Sequence, residues 1–329
     1  RTAGSVDGVI HAAALPDLWH ADPSVYADVN QGGAVMAAKY AQSLGVRVEN
    51  GRVYGRGAVD TKATLAVVLG LLEQMKEEGV AQPFNLLVGA TVGEEVGGLG
   101  ADFFADWVRK QNIPLDNLIV AEPTMNAPVH AHKGVSGYRV LVHGEAVHSS
   151  QPDTGKNALH AAAHLIVAME AEHERLKAIP AETPLGPATL AVTIAHAGIG
   201  ANIVPDQCEG IINRRNIPGE DPQAVADALG ALVREKCPLP VTWEPAIGHG
   251  AFHEKEDAPW LQQVAEWTGE PVTVVPYGTN ALKYGTTIAK ETMIFGPGTI
   301  DHAHGAVEWV EISQLQKTAE MYLRWWGVN

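Results

Sequence analysis

The sequence predicts an α/β protein with a mostly parallel sheet, helices on both faces, and an inserted α+β sandwich. Two observations lead to this prediction. Short apolar segments alternate with helical segments in the first and last parts of the chain, which is typical of a parallel sheet. Between residues 136 and 244 the order becomes strand, helix, strand, strand, helix, strand. We therefore expect a main domain from residues 1–135 and 245–329, and an inserted domain at 136–244.

The elements of the main domain follow from the spacing of apolar residues. From Lys62 to Gly79 they recur at helical spacing, and the segment ends in Lys, Glu and Gly, as helices often do. The segment FNLLVGATV, residues 84–92, is short and largely apolar and predicts a buried strand. The further expected elements are a helix at about 99–112, a strand at 118–121, a helix at 258–268, strands near 271–275 and 291–295, and a helix at 310–326.

The inserted domain is predicted from strands that alternate apolar and polar residues. YRVLVH, residues 138–143, is the first of them. The elements that follow are a helix at about 157–176, strands at 188–196 and 207–213, a helix at 222–236 and a strand near 240–244.

The composition excludes several classes of protein. A hydrophobic content of 46% over 329 residues is enough for a well-filled core. The formal charge of −15, without a basic cluster, argues against a nucleic-acid or anionic-membrane partner. The two cysteines form no CxxC pair, and no uninterrupted apolar span long enough for a membrane is present. We expect a soluble, cytoplasmic protein.

Two adjacent carboxylates, Glu94 and Glu95, follow the strand predicted at 84–92 in the stretch TVGEEVGGLGA. Open α/β sheets bind their ligands at the carboxyl ends of strands. Two charges beside a sheet core need a compensating cation. Neighbours in sequence point in different directions, so one glutamate could bind a metal while the other transfers a proton. The alternative is a solvated acidic turn.

Four further sites carry charged or imidazole groups where a strand or loop ends. Asp60 closes the glycine-rich loop GRVYGRGAVD, where it could equally serve as a helix N-cap. Glu122 ends a strand, His302 and His304 follow another, and His11 follows the short apolar start. Each histidine alone is more often structural than a ligand. Together, two histidines and three carboxylates supply the nitrogen and oxygen ligands that Zn²⁺ accepts, enough for two ions that share a bridging carboxylate.

Eight motifs in order resemble those of the dinuclear zinc aminoacylases and carboxypeptidases. The family includes acetylornithine deacetylase, succinyl-diaminopimelate desuccinylase and the glutamate-releasing carboxypeptidases. The motifs in this sequence are YGRGAVDTK, GEEVGGLGA, AEPT, HKG, HGEAVHSSQPDTGKNA, GANIVPD, NRRNIPGE and FGPGTIDHAH. The resemblance covers nearly the whole chain from His11 onward.

The resemblance implies a set of metal ligands. Asp60 would bridge two Zn²⁺ ions, for which Co²⁺ or Mn²⁺ could substitute. His11 and Glu122 would hold one ion, and Glu95 and His304 the other. The main domain would be the catalytic zinc-hydrolase domain. This chain departs from the family's first motif, His-x-Asp-x-x-Pro, because it has HAAALP, with Ala13 in place of the Asp that orients the histidine.

The resemblance also implies catalytic and substrate-binding residues. Glu94 would be the general base, and His148 would reach the partner subunit's active site to stabilise the oxyanion. Asn202, Arg215 and Gly298 would bind substrate, Arg215 through a carboxylate. The inserted domain would then be both a lid and the interface of a homodimer.

The implied reaction is hydrolysis of the amide bond of an N-acyl amino acid by a metal-bound hydroxide, as in acetylornithine deacetylase. A small N-acylated amino acid or peptide would be the substrate. A carboxypeptidase or a desuccinylase is the alternative enzyme. A relative that binds an acylated amino acid or peptide without catalysis is the alternative from another class, and the altered first motif is its only support.

Overall fold

The computed structural model describes residues 6–13, 47–80, 85–180 and 184–328. They divide into two compact units. Unit 1 comprises the described residues within Arg1–Ala131, His253–Val275 and Thr279–Asn329, and unit 2 comprises those within His132–Phe252 and Pro276–Gly278. The inserted domain predicted at 136–244 lies inside unit 2.

Strands and helices alternate in the first part of the chain. The elements are β1 (Val6–Ala13), β2 (Arg47–Glu49), β3 (Arg52–Tyr54), α1 (Lys62–Glu77), β4 (Leu86–Thr91), α2 (Leu99–Gln111), β5 (Leu115–Ala121) and β6 (Val129–His132).

Unit 2 contains β7 (Val135–His143), α3 (Ala158–Lys177), β8 (Thr189–Ala197), β9 (Gln207–Arg215), α4 (Pro222–Lys236) and β10 (Val241–His249). The four strands form an antiparallel sheet in the order β10-β7-β9-β8. Inward residues of β7, among them Tyr138, Val140 and Val142, pack with α3 and α4 residues in one apolar cluster. Each of the six elements expected from the sequence is present, with ends that differ by a few residues.

The last part of the chain adds β11 (Phe252–His253), α5 (Pro259–Thr268), β12 (Thr273–Val275), α6 (Ala281–Ile288), β13 (Ala289–Phe295), β14 (Trp309–Glu311) and α7 (Ile312–Trp325). The main sheet has the order β11-β6-β13-β5-β1-β4, and β12 pairs with β6. β1 pairs in parallel with β4 and β5, and β13 pairs in parallel with β5. The predicted α/β class with a mostly parallel sheet is confirmed.

The parallel strands end level with one another, and this determines where the site lies. Ala13 pairs with Thr91, Ala12 with Ala121, and Phe295 with Ala121. The loops that follow β4, β5 and β13 therefore leave the sheet together at the carboxyl ends of its parallel strands, where open α/β sheets bind their ligands.

The core of unit 1 lies between helices and the main sheet. α1 presents Val67, Val68 and Leu71, each at most 2% exposed, at the spacing of one helical face. These residues join an apolar cluster that includes Leu315 and Tyr322 of α7. A second helix pair, α2 and α6, packs separately. Among the described residues, no helix is both long enough and apolar enough to cross a membrane.

Several elements were not predicted. β6 has only four residues, all buried, and too short a pattern to show periodicity. α6 is interrupted at Gly285, whose φ is 41°, so its apolar spacing is broken. The three-stranded sheet β14-β3-β2 is built from three-residue strands that are distant in sequence. Short elements of this kind depend on tertiary partners more than on their own propensity.

Candidate functional site

The turn with Glu94 and Glu95 follows directly from the glycines around it. A short 3₁₀ turn, Glu94–Val96, lies between Gly93 and Gly97, whose φ angles are 78° and 104°. Residues with a side chain rarely adopt these angles, so the two glycines allow the chain to turn tightly where β4 ends. The two glutamates differ in environment: Glu94 is half-buried, whereas the Glu95 side chain is 62% exposed. The solvated acidic turn therefore describes Glu95 but not Glu94.

Asp60 lies in the loop between β3 and α1, at the same edge as the Glu94 turn. The alternative interpretation of Asp60 as a helix N-cap is wrong, because the N-cap of α1 is Thr61 and no side chain caps it. The Asp60 side chain is only 18% exposed, and its Oδ2 lies 3.0 Å from Nε2 of His304.

His304 lies in the loop after β13 and joins the two carboxylates. Its Nε2 is 3.0 Å from Oδ2 of Asp60 and 2.8 Å from Oε1 of Glu95. Its φ of 58° is in the left-handed region, which is uncommon for a residue other than glycine. Ligand atoms of Asp60, Glu95 and His304 all lie within 4.8 Å of one another, the one such group of three among the described residues.

Burial, with a smaller effect of crowded negative charge, raises the pKa of three carboxyls in this site. Burial, assisted by the charges of Glu95 and Asp60, raises the pKa of Glu94 to about 7. Burial and the charge of Asp60 raise the pKa of Glu122 well above its usual value. Burial also raises the pKa of Asp60, although the hydrogen bond from His304 opposes this shift. That same bond raises the pKa of His304.

This donor set fits a divalent cation. Two carboxylate oxygens and one imidazole nitrogen converge, and such ligands suit Zn²⁺. The carboxylates of Asp60, Glu94, Glu95 and Glu122 carry like charge in one neighbourhood, and Glu308 adds to the charge at Asp60. The imidazole of His304 opposes the pKa shifts of Asp60 and Glu94. A bound cation relieves a concentration of negative charge that protonation must otherwise relieve.

Glu122 and His11 were expected to hold a second ion. Glu122 follows β5 and is 5% exposed, and burial and the charges of Asp60 and Glu94 raise its pKa, but its carboxylate is not part of the group of three. The side chain of His11 lies outside the described residues. Its backbone pairs with Gly89 of β4 and Val120 of β5, near the carboxyl ends of those strands.

The loop that carries His304 also contains Gly298, which was predicted to bind substrate, and His302. Gly298 is buried with a φ of 78°, and an added Cβ would come within 3.1 Å of Val59. The ring of His302 packs on Trp309, with ring centroids 3.8 Å apart. His302 therefore supports the loop and is not a member of the ligand group.

The three remaining predicted residues belong to unit 2. His148 is exposed, and its Nδ1 lies 2.8 Å from the hydroxyl of Ser150. Its backbone bridges to Ile203, and the N–H of Ser149 donates to the carbonyl of Asn202. His148 and Asn202 therefore occupy adjoining loops. Arg215 is half-buried at the end of β9.

Sequence reasoning missed Glu308. Its side chain is 2% exposed and accepts hydrogen bonds from the backbone N–H groups of Val59 and Asp60. The available signal was a glutamate directly before the apolar pair Trp309 and Val310, an unusual place for a charge.

Comparison with known proteins gives a sequence match over most of the chain. The sequence profile of Peptidase family M20/M25/M40 matches residues 33–327. An acetylornithine deacetylase of Myxococcus xanthus is 30% identical, over 87% of this chain and 75% of that protein. A probable carboxypeptidase of Aspergillus flavus is 29% identical over 83% of this chain, which spans only 65% of that protein's length.

Solved structures share the fold. An M20 family metallo-carboxypeptidase from Sulfolobus solfataricus superposes with a TM-score of 0.71 at 15% identity, covering 100% of this chain and 86% of that one. The aminopeptidase PepT of Bacillus cereus gives a TM-score of 0.70 at 18% identity, with 98% and 81% covered. At these identities the likeness concerns the fold alone.

Proposed function

The chain belongs to peptidase family M20/M25/M40, whose members hydrolyse amide or peptide bonds, and from this we propose that it is a metal-dependent hydrolase of small N-acylated amino acids or peptides. The observation that carries the proposal is the convergence of Asp60, Glu95 and His304 within 4.8 Å, beside Glu94.

Asp60, Glu95 and His304 would hold one divalent cation, and Glu122 with His11 would hold a second that shares Asp60. We propose Zn²⁺ for both. A bound cation of this kind would lower the pKa of a coordinated water and polarise the carbonyl of the scissile amide.

Glu94 is the proposed general base. Glu94 precedes the proposed ligand Glu95 in sequence but does not belong to the group of three, and its side chain is half-buried. In the metal-free protein the pKa of Glu94 is about 7, and a cation bound to the neighbouring carboxylates would lower it. The ionised carboxylate could then accept a proton from the attacking water and return one to the leaving amine. Glu95, in contrast, is bonded to His304 and is the proposed ligand.

Unit 2 would supply substrate recognition. The guanidinium of Arg215 suits the carboxylate that every amino-acid product carries, and Asn202 can bond to polar groups of the substrate. His148 would stabilise the oxyanion in the active site of a second copy, which requires a homodimer.

The surface of unit 2 supports such a dimer. β8 is an edge strand of the four-stranded sheet, where Ile194 is 42% exposed. Val167 of α3 is 63% exposed. Unpaired strand edges and exposed aliphatic side chains are features of interfaces between copies. Light scattering should give twice the chain mass, and a monomer with full activity would contradict this part of the proposal.

Acetylornithine and other N-acetyl amino acids are the first substrates to test, because an acetylornithine deacetylase is among the relatives that match this chain. N-succinyl substrates and dipeptides test the desuccinylase and carboxypeptidase alternatives. Free amine released from each substrate by zinc-loaded protein identifies the acyl group. Absence of bound metal in protein purified with zinc, together with no hydrolysis of any substrate, would favour the non-catalytic relative.

A further inference from the structure

Glu308 and Arg56 connect the loop that carries Asp60 to the loop that carries His304. Oε1 of Glu308 accepts hydrogen bonds from the N–H groups of Val59, at 2.9 Å, and of Asp60, at 3.1 Å. Oε2 of Glu308 lies 3.1 Å from a guanidinium nitrogen of Arg56. We call Arg56 and Glu308 with these bonds the Glu308 clamp.

The clamp also reaches the His304 loop directly. The second guanidinium nitrogen of Arg56 donates to the carbonyl of Gly305 at 2.8 Å, and Gly305 is the residue after His304. The two loops meet because β14 pairs with β3 in an antiparallel register. A hydrogen bond from the N–H of Gly55 to the carbonyl of Glu308 continues this pairing beyond the strands. Glu308 thus hydrogen-bonds to the backbone of Asp60, and its ion-pair partner Arg56 hydrogen-bonds to the backbone next to His304.

Packing alone does not explain a glutamate at this position. A buried carboxylate is costly unless charged or polar donors satisfy it, and an apolar side chain would fill the space without that cost. The charge of Glu308 also adds to the like charge of Asp60. What the carboxylate supplies, and an apolar side chain cannot, is an acceptor for the N–H of Asp60 itself.

We infer that Glu308 is a positioning residue for the metal centre, which holds the backbone of Asp60 so that its carboxylate faces His304. This inference rests on the proposed function, because it assigns Asp60 and His304 to one cation site. The hydrogen bonds that Glu308 accepts come from the main-chain N–H groups of Val59 and Asp60, so it acts through the main chain. Outer partners of metal ligands typically change affinity by about 10–100-fold when they are lost.

The test is a titration of metal-free protein with Co²⁺. Visible absorption monitors binding, at a temperature where each variant is folded. Glu308→Ala removes the acceptor, and we expect the affinity for Co²⁺ to fall about 10–100-fold with a changed visible spectrum. Glu308→Gln keeps one oxygen for both N–H groups and should recover most of the affinity. Arg56→Ala, at a residue whose side chain is 63% exposed, should fold and should lose part of the affinity.

Glu311→Ala is the matched control. Glu311 lies three residues further along, is 49% exposed, and pairs with Arg52 instead of with a backbone N–H of the Asp60 loop. We expect its affinity and spectrum to equal those of the wild type. Unfolding of each metal-free variant, measured separately, shows any purely structural loss, which would lower stability without changing the spectrum of the folded protein.

Three results would overturn the inference: wild-type affinity and spectrum in both Arg56→Ala and Glu308→Ala, an equal loss of affinity in Glu308→Gln and Glu308→Ala, or the same loss of affinity in Glu311→Ala as in Glu308→Ala. If Glu308→Ala does not fold, Arg56→Ala still decides, because wild-type affinity and spectrum in that variant would contradict the clamp. Failure of the wild type itself to bind Co²⁺ would instead contradict the proposed metal site.

Discussion

The raised pKa of Glu94 makes the stability of the metal-free protein depend on pH. Burial, with the charges of Glu95 and Asp60, raises this pKa from 4.5 to about 7. The folded protein therefore holds the proton more tightly than the unfolded chain does. The contribution of this proton to the free energy of unfolding is intact below pH 4.5 and is lost as pH rises through about 7.

The size of the effect follows from the shift. A change from 4.5 to about 7 corresponds to about 3 kcal/mol, and most of it is lost between pH 5 and pH 8. Glu94→Gln removes the titrating group and keeps the shape of the side chain. We expect the metal-free variant to be about as stable as the wild type at pH 4 and more stable by about 3 kcal/mol at pH 8.

Urea unfolding of chelator-treated wild type and Glu94→Gln across this pH range measures the difference directly. Titrating groups away from the site contribute equally to both proteins, so the difference between the two reports Glu94 together with its coupling to Asp60, Glu95 and Glu122. Zinc should reduce the difference, because a cation offsets the crowded charge. A difference between the two proteins that stays constant from pH 4 to pH 8 would refute the electrostatic account of Glu94.

Three further predictions concern ligands and the core. Glu95→Ala should lose bound zinc, whereas Glu94→Gln should keep its zinc and lose turnover by about 10²–10⁴-fold. If metal analysis found zinc in Glu95→Ala and none in Glu94→Gln, Glu94 would be the ligand and Glu95 the general base. Ala13→Asp should tighten the weaker of two metal-binding steps by about 10–100-fold in a zinc titration of metal-free protein, and an unchanged isotherm would contradict it. Leu71→Ala, at a side chain 2% exposed, should lower the free energy of unfolding by about 2–5 kcal/mol, while the control Leu69→Ala, at 41% exposure, should change it far less.

Much of the fold could be predicted because its main elements carry long, regular patterns. α1 repeats apolar residues over several turns, and the alternation in β7 spans nine residues. β6 and β2 have four and three residues, too few to show a period.

The candidate site was predicted in part. Asp60, Glu95 and His304 were expected at the carboxyl ends of the strands because each follows a strand or a glycine-rich loop, and the family resemblance implied that they share an ion. The bond between Glu308 and the N–H of Asp60 could not be predicted, because it joins residues 248 positions apart and its donor is a main-chain group. The place of Glu308 before Trp309 and Val310 signals only an unusual charge. The electrostatic difference between Glu94 and Glu95 likewise depends on burial, which the adjacent sequence positions do not reveal.

The most direct test of the account is hydrolysis of N-acetyl amino acids by one preparation in three states: as purified with zinc, after chelation, and after zinc is restored. The account predicts release of free amino acid in the first and third states and none in the second. Glu94→Gln should release almost no free amino acid, even when it is loaded with zinc. An undiminished rate after complete removal of metal, or a wild-type rate in Glu94→Gln, would contradict the assignment of the Asp60, Glu95 and His304 group as a metal centre served by Glu94.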